Sequence, residues 1–388
     1  MKTIRRITQL AGAVLFVSFA VAQKPGEKHT TTAGVPAAPA SLDELLTPIR
    51  EQYKTPALAA AVTRGGGMLA IGAVGVRRAG ENEPVSVGDC FHIGSCTKAM
   101  TATLCARLVD EGNLRWDTTL GESFADLRND VRPEYLNVTL EQLLQHRSGL
   151  PDDRQPGASF MEIAALSGEM RARRHELVRI ALDQTPTDKP GKKMNYSNFG
   201  YAIAGAMCEQ AADATWEDLI RAKLFVPLGM KSAGFGAPGD AERVDQPFGH
   251  TARPGAEPTP VPPGPAGDNP AVIGPGGTVH CSIGDWARFA AFHLRADGRE
   301  LGLKPETMKR LHADVSKLEY AMGWGLGPKQ WHGEPVFQHA GSNSMWFAMI
   351  QLSPKRDLAI VVATNCGTAE AQKACRETAE KLVARFDP

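Results

Sequence analysis

The chain carries no excess of either charge: its 43 Lys and Arg match 43 Asp and Glu over 388 residues. That balance excludes the basic surplus of a nucleic-acid protein, and it excludes a solvated acidic chain. A membrane-spanning run is also missing. The apolar stretch Leu10–Ala22 has 13 residues, against the roughly 20 that cross a bilayer. The ten histidines form no HxH, HExxH or HxxxH pair, so no metal is expected, and no other cofactor either. Cysteine is sparse and odd in number, at seven, with no zinc spacing. Cys366 and Cys375 are near enough in sequence to pair. Several of the cysteines nevertheless lie in apolar runs, which predicts mostly buried free thiols. No internal repeat exists. With 43% hydrophobic residues, a large core needs no disulfide staples.

What is present begins with an address. Lys2, Arg5 and Arg6 precede Leu10–Ala22, which ends in Ala20-Val21-Ala22. A basic start, a short apolar run and a small-x-small end predict a signal peptide over 1–22, cleaved near Ala22. A periplasmic or secreted protein follows, without a stable anchor after cleavage. Residues 23–40 are polar, aperiodic and proline-containing, and read as a disordered linker. The folded unit is expected over 41–388.

Within it, Ser41 and Glu44 predict a capping box for a helix over about 42–53. Ala57–Val76, interrupted by Arg64-Gly65-Gly66-Gly67, reads as a β-hairpin. Thr97–Glu111 has a helical pattern stopped by Gly112. Residues 113 to about 245 are mostly helical. Seven prolines between 254 and 270 predict one long loop over 253–276. Trp286–Leu294 is helical, four apolar runs between 324 and 363 read as an antiparallel meander, and Ala369–Phe386 closes as an amphipathic helix. A lone hairpin is too small to be stable, so it should join the C-terminal strands. The predicted class is α+β: an antiparallel sheet built from both chain ends (about 41–112 and 271–388) with a helical part inserted (about 113–270). A cleft between the two is the default place for a site.

Three short motifs carry chemistry. Ser95 falls where a loop enters the Thr97 helix, and Lys98, three residues on, lies on the same face, within reach of the serine oxygen. The helix start adds free N–H groups and partial positive charge, which suit an alkoxide and a developing oxyanion. Tyr196-Ser197-Asn198 is the second. A tyrosine beside a lysine is held partly as phenolate, which makes Tyr196 a general base for Ser95. Asn198 can bind a substrate amide and also hold Lys98. Tyr135-Leu136-Asn137 has the same pattern, but Tyr135 precedes Thr139, a helix cap, and reads as a packing residue. The third is His339-Ala340-Gly341 on a C-terminal strand. Gly341 lets a ligand lie against the strand, and the Ser342 N–H can join that of Ser95 as an oxyanion hole.

In this order, SxxK, YxN and [KH]xG, the motifs resemble the serine β-lactamase and penicillin-binding-protein superfamily. The chain is most similar to the class C β-lactamase branch, with its D-Ala-D-Ala carboxypeptidases and esterases. The resemblance runs from about Ser41 to the C-terminus and includes Leu143–Pro151, Pro190–Tyr201, Pro227–Met230 and Gly274–Phe289. No G-x-S-x-G elbow exists, which disfavours an α/β-hydrolase. The resemblance implies a serine hydrolase that forms an acyl-enzyme: Ser95 attacks, Lys98 and Tyr196 move the proton, and Asn198, His339, Gly341 and Ser342 bind substrate. Two departures stand out. His339 replaces the lysine of class C enzymes, which weakens recognition of a substrate carboxylate. Asp152-Asp153 follows Gly-Leu-Pro where those enzymes place a glutamine, so Asp153 is expected to meet a cationic or hydroxyl-bearing substrate group. The implied substrate is an amide, either a D-Ala-D-Ala-type, peptidoglycan-derived peptide or a β-lactam. A carboxylesterase and a penicillin sensor that acylates without turnover are the alternatives, and a monomer is expected.

Overall fold

The computed structural model describes residues 38–153, 158–253, 255–331 and 333–387. The expected signal peptide, and the linker up to residue 37, lie outside the described residues. In chain order the strands are β1 (Ala40–Ser41), β2 (Ala57–Arg64), β3 (Gly67–Gly75), β4 (Cys90–His92), β5 (Gly234–Phe235), β6 (Gly249–Thr251), β7 (Thr259–Val261), β8 (Val279–Ser282), β9 (Gly325–Trp331), β10 (Glu334–Ser342), β11 (Phe347–Ser353) and β12 (Leu358–Thr364).

Seven of them form one sheet in the order β1-β3-β2-β12-β11-β10-β9. The hairpin turn between β2 and β3 has Gly65 and Gly66 both at positive φ (58° and 76°), the twist that suits two-residue hairpins. β2 then pairs with β12, Ala61 opposite Val361. The sheet is thus assembled from both chain ends, as the sequence predicts. β2 and β12 read as unbroken apolar runs because both faces are covered. Ala57, Ala59, Ala61, Ala359, Val361 and Ala363 face one core. Leu58, Ala60, Val62, Leu358, Ile360 and Val362 face a second core, against the Asp43–Gln52 and Ala369–Phe386 helices.

The larger core surrounds the Thr97–Asp110 helix, whose residues are nearly all buried. A helix buried on most of its faces must satisfy its polar groups inside the protein. Its polar groups are matched: Thr97 Oγ1 accepts from Val279 N at 3.1 Å, and Thr101 Oγ1 donates to Pro275 O at 2.7 Å. Beside it runs the Asn198–Ala212 helix, capped by Ser197 Oγ on Gly200 N.

Two expectations are corrected and one element was not foreseen. Ser41 makes no capping box, because β1 pairs Ser41 with Ile71; the helix starts at Asp43 with Leu42 as its cap position. The proline-rich 253–276 stretch is more than a loop, since β7 pairs with β6 and helical turns follow at Pro265–Gly267, Ala271–Ile273 and Gly274–Gly277. A small sheet of order β4-β8-β5 also escaped prediction; strands of two to four residues are too short to show a period. All seven cysteines are buried and unbridged.

Candidate active site

Ser95 sits in the 3₁₀ turn Gly94–Cys96 that feeds the Thr97–Asp110 helix. Gly94 has φ of +50°, and a Cβ there would lie 2.5 Å from Ser342 N. Gly341 is its counterpart on β10. A Cβ on Gly341 would collide with Ile93 O and lie 2.5 Å from Ser95 N. Only glycine permits this approach of turn and strand, and the amides of Ser95 and Ser342 border the same contact. The pairing of β10 with β9 ends at Gln338, so His339–Ser342 turn one strand edge away from the ladder. The Ser342 hydroxyl is occupied, donating to Trp346 O and accepting from Ser344 N. Behind the turn, Gly94 N donates to His92 Nδ1 at 3.1 Å, and His92 Nε2 lies 2.7 Å from Asp268 Oδ1.

Lys98 is fully buried. Its ammonium donates to Ser95 Oγ at 3.2 Å, Asn198 Oδ1 at 2.7 Å and Gly276 O at 2.7 Å, which uses all three of its donors. It also lies over the faces of Tyr196 (4.8 Å) and Tyr201 (5.5 Å). Burial pushes its pKa down to about 7, with the charge of Asp153 acting against the fall. A lysine poised there can both take and return a proton near neutral pH.

Tyr196 is packed on His146, ring centroids 4.3 Å apart, and its ring lies 6.4 Å from that of His339. His146 takes a left-handed backbone (φ 56°) and its Nδ1 accepts from Ser197 N at 3.1 Å. Tyr135, as expected, is a buried packing residue of the larger core.

His339 is held by its own surroundings. Its Nδ1 lies 2.8 Å from Ala340 O and its Nε2 3.0 Å from the Tyr320 hydroxyl. A carbonyl accepts only, so Nδ1 carries the proton and Nε2 accepts from Tyr320. Desolvation, then the nearby Lys98 charge, push the imidazole pKa down to about 4. His339 is therefore neutral at neutral pH.

Asp153 is not placed as a substrate contact, which corrects that expectation. Its carboxylate is buried, and both oxygens are taken by Ser197, Asn198 and Phe199. Sequence reasoning missed Tyr320, His146 and the Gly276 carbonyl. None carries a local signal, although His146 and Gly276 lie in stretches already tied to the family. Among the described residues, no group of three His, Cys, Asp or Glu side chains is placed to hold a metal, and no helix is long and apolar enough to cross a membrane.

The beta-lactamase family profile matches residues 42–384. The chain belongs to that family, whose members are serine hydrolases of the β-lactamase/transpeptidase-like fold. Penicillin-binding protein 4 of Amycolatopsis lactamdurans is 29% identical over 337 residues, 83% of this chain and 84% of that protein. An unguisins hydrolase of Aspergillus campestris is 25% identical over 73% of this chain, which spans only 54% of that longer protein. Two solved structures superpose well at low identity and so carry the fold alone. An octameric penicillin-binding protein homologue from Pyrococcus abyssi gives a TM-score of 0.72 (22% identity, 88% of this chain, 77% of that one). The D-amino acid amidase of Ochrobactrum anthropi gives 0.71 (20% identity, 88% and 97%).

Proposed function

We propose that this chain hydrolyses an amide by acyl transfer through Ser95. The observation that carries the reading is the buried Lys98 ammonium, 3.2 Å from Ser95 Oγ and pushed down to about 7. Neutral Lys98 takes the Ser95 proton as Oγ attacks the carbonyl carbon. The amides of Ser95 and Ser342 receive the oxyanion. The proton then passes to the leaving nitrogen, with the Tyr196 phenol beside Lys98 as the second member of the proton-transfer pair. Water resolves the acyl-enzyme by the reverse route. Asn198 and the β10 edge at His339–Gly341 orient the substrate.

The substrate terminus follows from His339. A neutral imidazole with both nitrogens engaged offers no charge to a carboxylate. This supports an amide without a free carboxylate beside the scissile bond over a carboxypeptidase or β-lactam substrate. The same observation supports an ester as the second reading. The signal-like N-terminus supports export.

The test compares kcat/KM for a D-Ala-D-Ala peptide, its C-terminal amide and a nitrophenyl ester of the same acyl group, with Ser95→Ala as control. The amide should exceed the free acid by at least about tenfold. Preference for the free acid refutes the terminus assignment. Turnover of the ester alone moves the function to esterase. Turnover that survives Ser95→Ala removes the acyl-enzyme.

A further inference from the structure

The first turn of the Asn198–Ala212 helix begins with backbone N–H groups that have no partner within the helix. Asp153, 45 residues upstream of Asn198, supplies it. Its Oδ1 accepts from Asn198 N at 2.7 Å and from Asn198 Nδ2 at 3.0 Å. Its Oδ2 accepts from Phe199 N at 2.6 Å and Ser197 Oγ at 2.8 Å. The carboxylate thus grips the segment that carries Tyr196 and Asn198 from outside the helix.

The two ends of the Asn198 side chain face opposite chemistry: Nδ2 meets Asp153, and Oδ1 receives Lys98 Nζ at 2.7 Å. A carboxylate accepts hydrogen bonds and cannot donate them. Asp153 therefore excludes the flipped amide, which would turn an NH2 group on the Lys98 ammonium.

We propose that Asp153 is a positioning residue for the nucleophile: it fixes the orientation of Asn198 and, through it, holds Lys98 against Ser95. The proposal rests on the acyl-transfer reading above. Asp153 also acts by charge, favouring the Lys98 ammonium against its burial. Other elements face the same nitrogen. The nucleophile turn brings the Ser95 hydroxyl and the Cys96 thiol, the Tyr196–Asn198 segment and its helix bring the Tyr196 and Tyr201 rings, and the Gly274–Gly277 turn brings the Gly276 carbonyl. β10 brings neutral His339.

The experiment follows labelling of Ser95 by a fluorophosphonate across pH 5 to 9, in the full chain and three variants. In the wild type the rate should rise through pH about 7. Asp153→Asn keeps the shape and removes the charge. Its acid limb should fall by about half a pH unit or more, and its plateau by about tenfold. Ser197→Ala removes one hydrogen bond of the same cap and should leave the limb in place. Asp153→Glu keeps the charge one methylene further out, and should lower the plateau without moving the limb. An Asp153→Asn limb that does not move, or a Ser197→Ala limb that moves as far, overturns the proposal. If Asp153→Asn fails to fold, Asp153→Glu decides: a displaced limb overturns it. An unlabelled wild type overturns the acyl-transfer reading, and this role with it. A labelled wild type with an unmoved Asp153→Asn limb overturns this role alone.

Discussion

Among the described residues, two Lys or Arg side chains lie fully buried, Arg174 and Lys98, and their surroundings are opposites. Arg174 sits among carboxylates, 2.5 Å from Glu209 Oε1 and 2.5 and 2.9 Å from the two Glu217 oxygens, with further bonds to Val272 O and Ala271 O. Burial alone would depress its guanidinium, but the two glutamates hold it above its usual value. Lys98 has neutral partners: a hydroxyl, an amide oxygen and a carbonyl. The nearest acid, Asp153, reaches it through Asn198. One cation is therefore locked in its charged form and ties helices to the Ala271–Ile273 turn. The other is left near its midpoint and can exchange a proton. Burial is common to both; the pairing decides which is structure and which is chemistry.

That contrast can be broken at either end. The largest effect expected is on labelling in Lys98→Met, where the Ser95 rate should fall on the order of a thousandfold, read by fluorophosphonate kinetics. Next, Arg174→Met strands the buried Glu209 carboxylate and removes the partner of the half-buried Glu217; it should cost about 3 kcal/mol, read by urea denaturation, while the labelling rate of the folded fraction keeps its pH profile. A smaller effect separates the two cations by pH. The folded pKa of Lys98 lies below its unfolded value, so the unfolded chain binds more protons between pH about 7 and about 10. Stability should therefore rise with pH across that window. The Tm of the wild type should gain on that of Lys98→Met between pH 7 and 9, whereas Arg174→Met should show no such convergence. The smallest effect is expected from Tyr320→Phe. It removes the hydrogen bond to His339 Nε2 and should change kcat/KM a few-fold, about 1 kcal/mol, with the acid limb of the profile unmoved.

How much of this was legible follows from where each signal is stored. Ser95 and Lys98 share one helical turn, and Tyr196 and Asn198 share one segment, so chain spacing reports them. The central strands β2 and β12 were legible from their apolar runs, and the C-terminal helix over 369–386 was found with its bounds. Asp153 was misread because its partners lie 44 to 46 residues away; adjacency to Gly-Leu-Pro says nothing of which way a carboxylate turns. Tyr320 and His146 were missed because their contacts run across the fold, and no periodicity records a contact with His339 or Tyr196. Ser41 has the residues of a cap, but strand pairing with Ile71 claimed it first.

The contact between the nucleophile turn and β10 has a temporal side. Cys96 Sγ meets His339 O across 243 residues of chain, and Thr55 meets Thr364 across 309. Such closures are late and slow events in folding, since loop entropy is lost before the contacts repay it. During synthesis, Ser95 and Lys98 emerge long before the strand that brings Ser342 beside them. On the proposed acyl-transfer reading, a chain that has not yet laid β10 against the turn holds Ser95 without the Ser342 amide beside it. On the same reading, the β10 strand sets when the site is assembled.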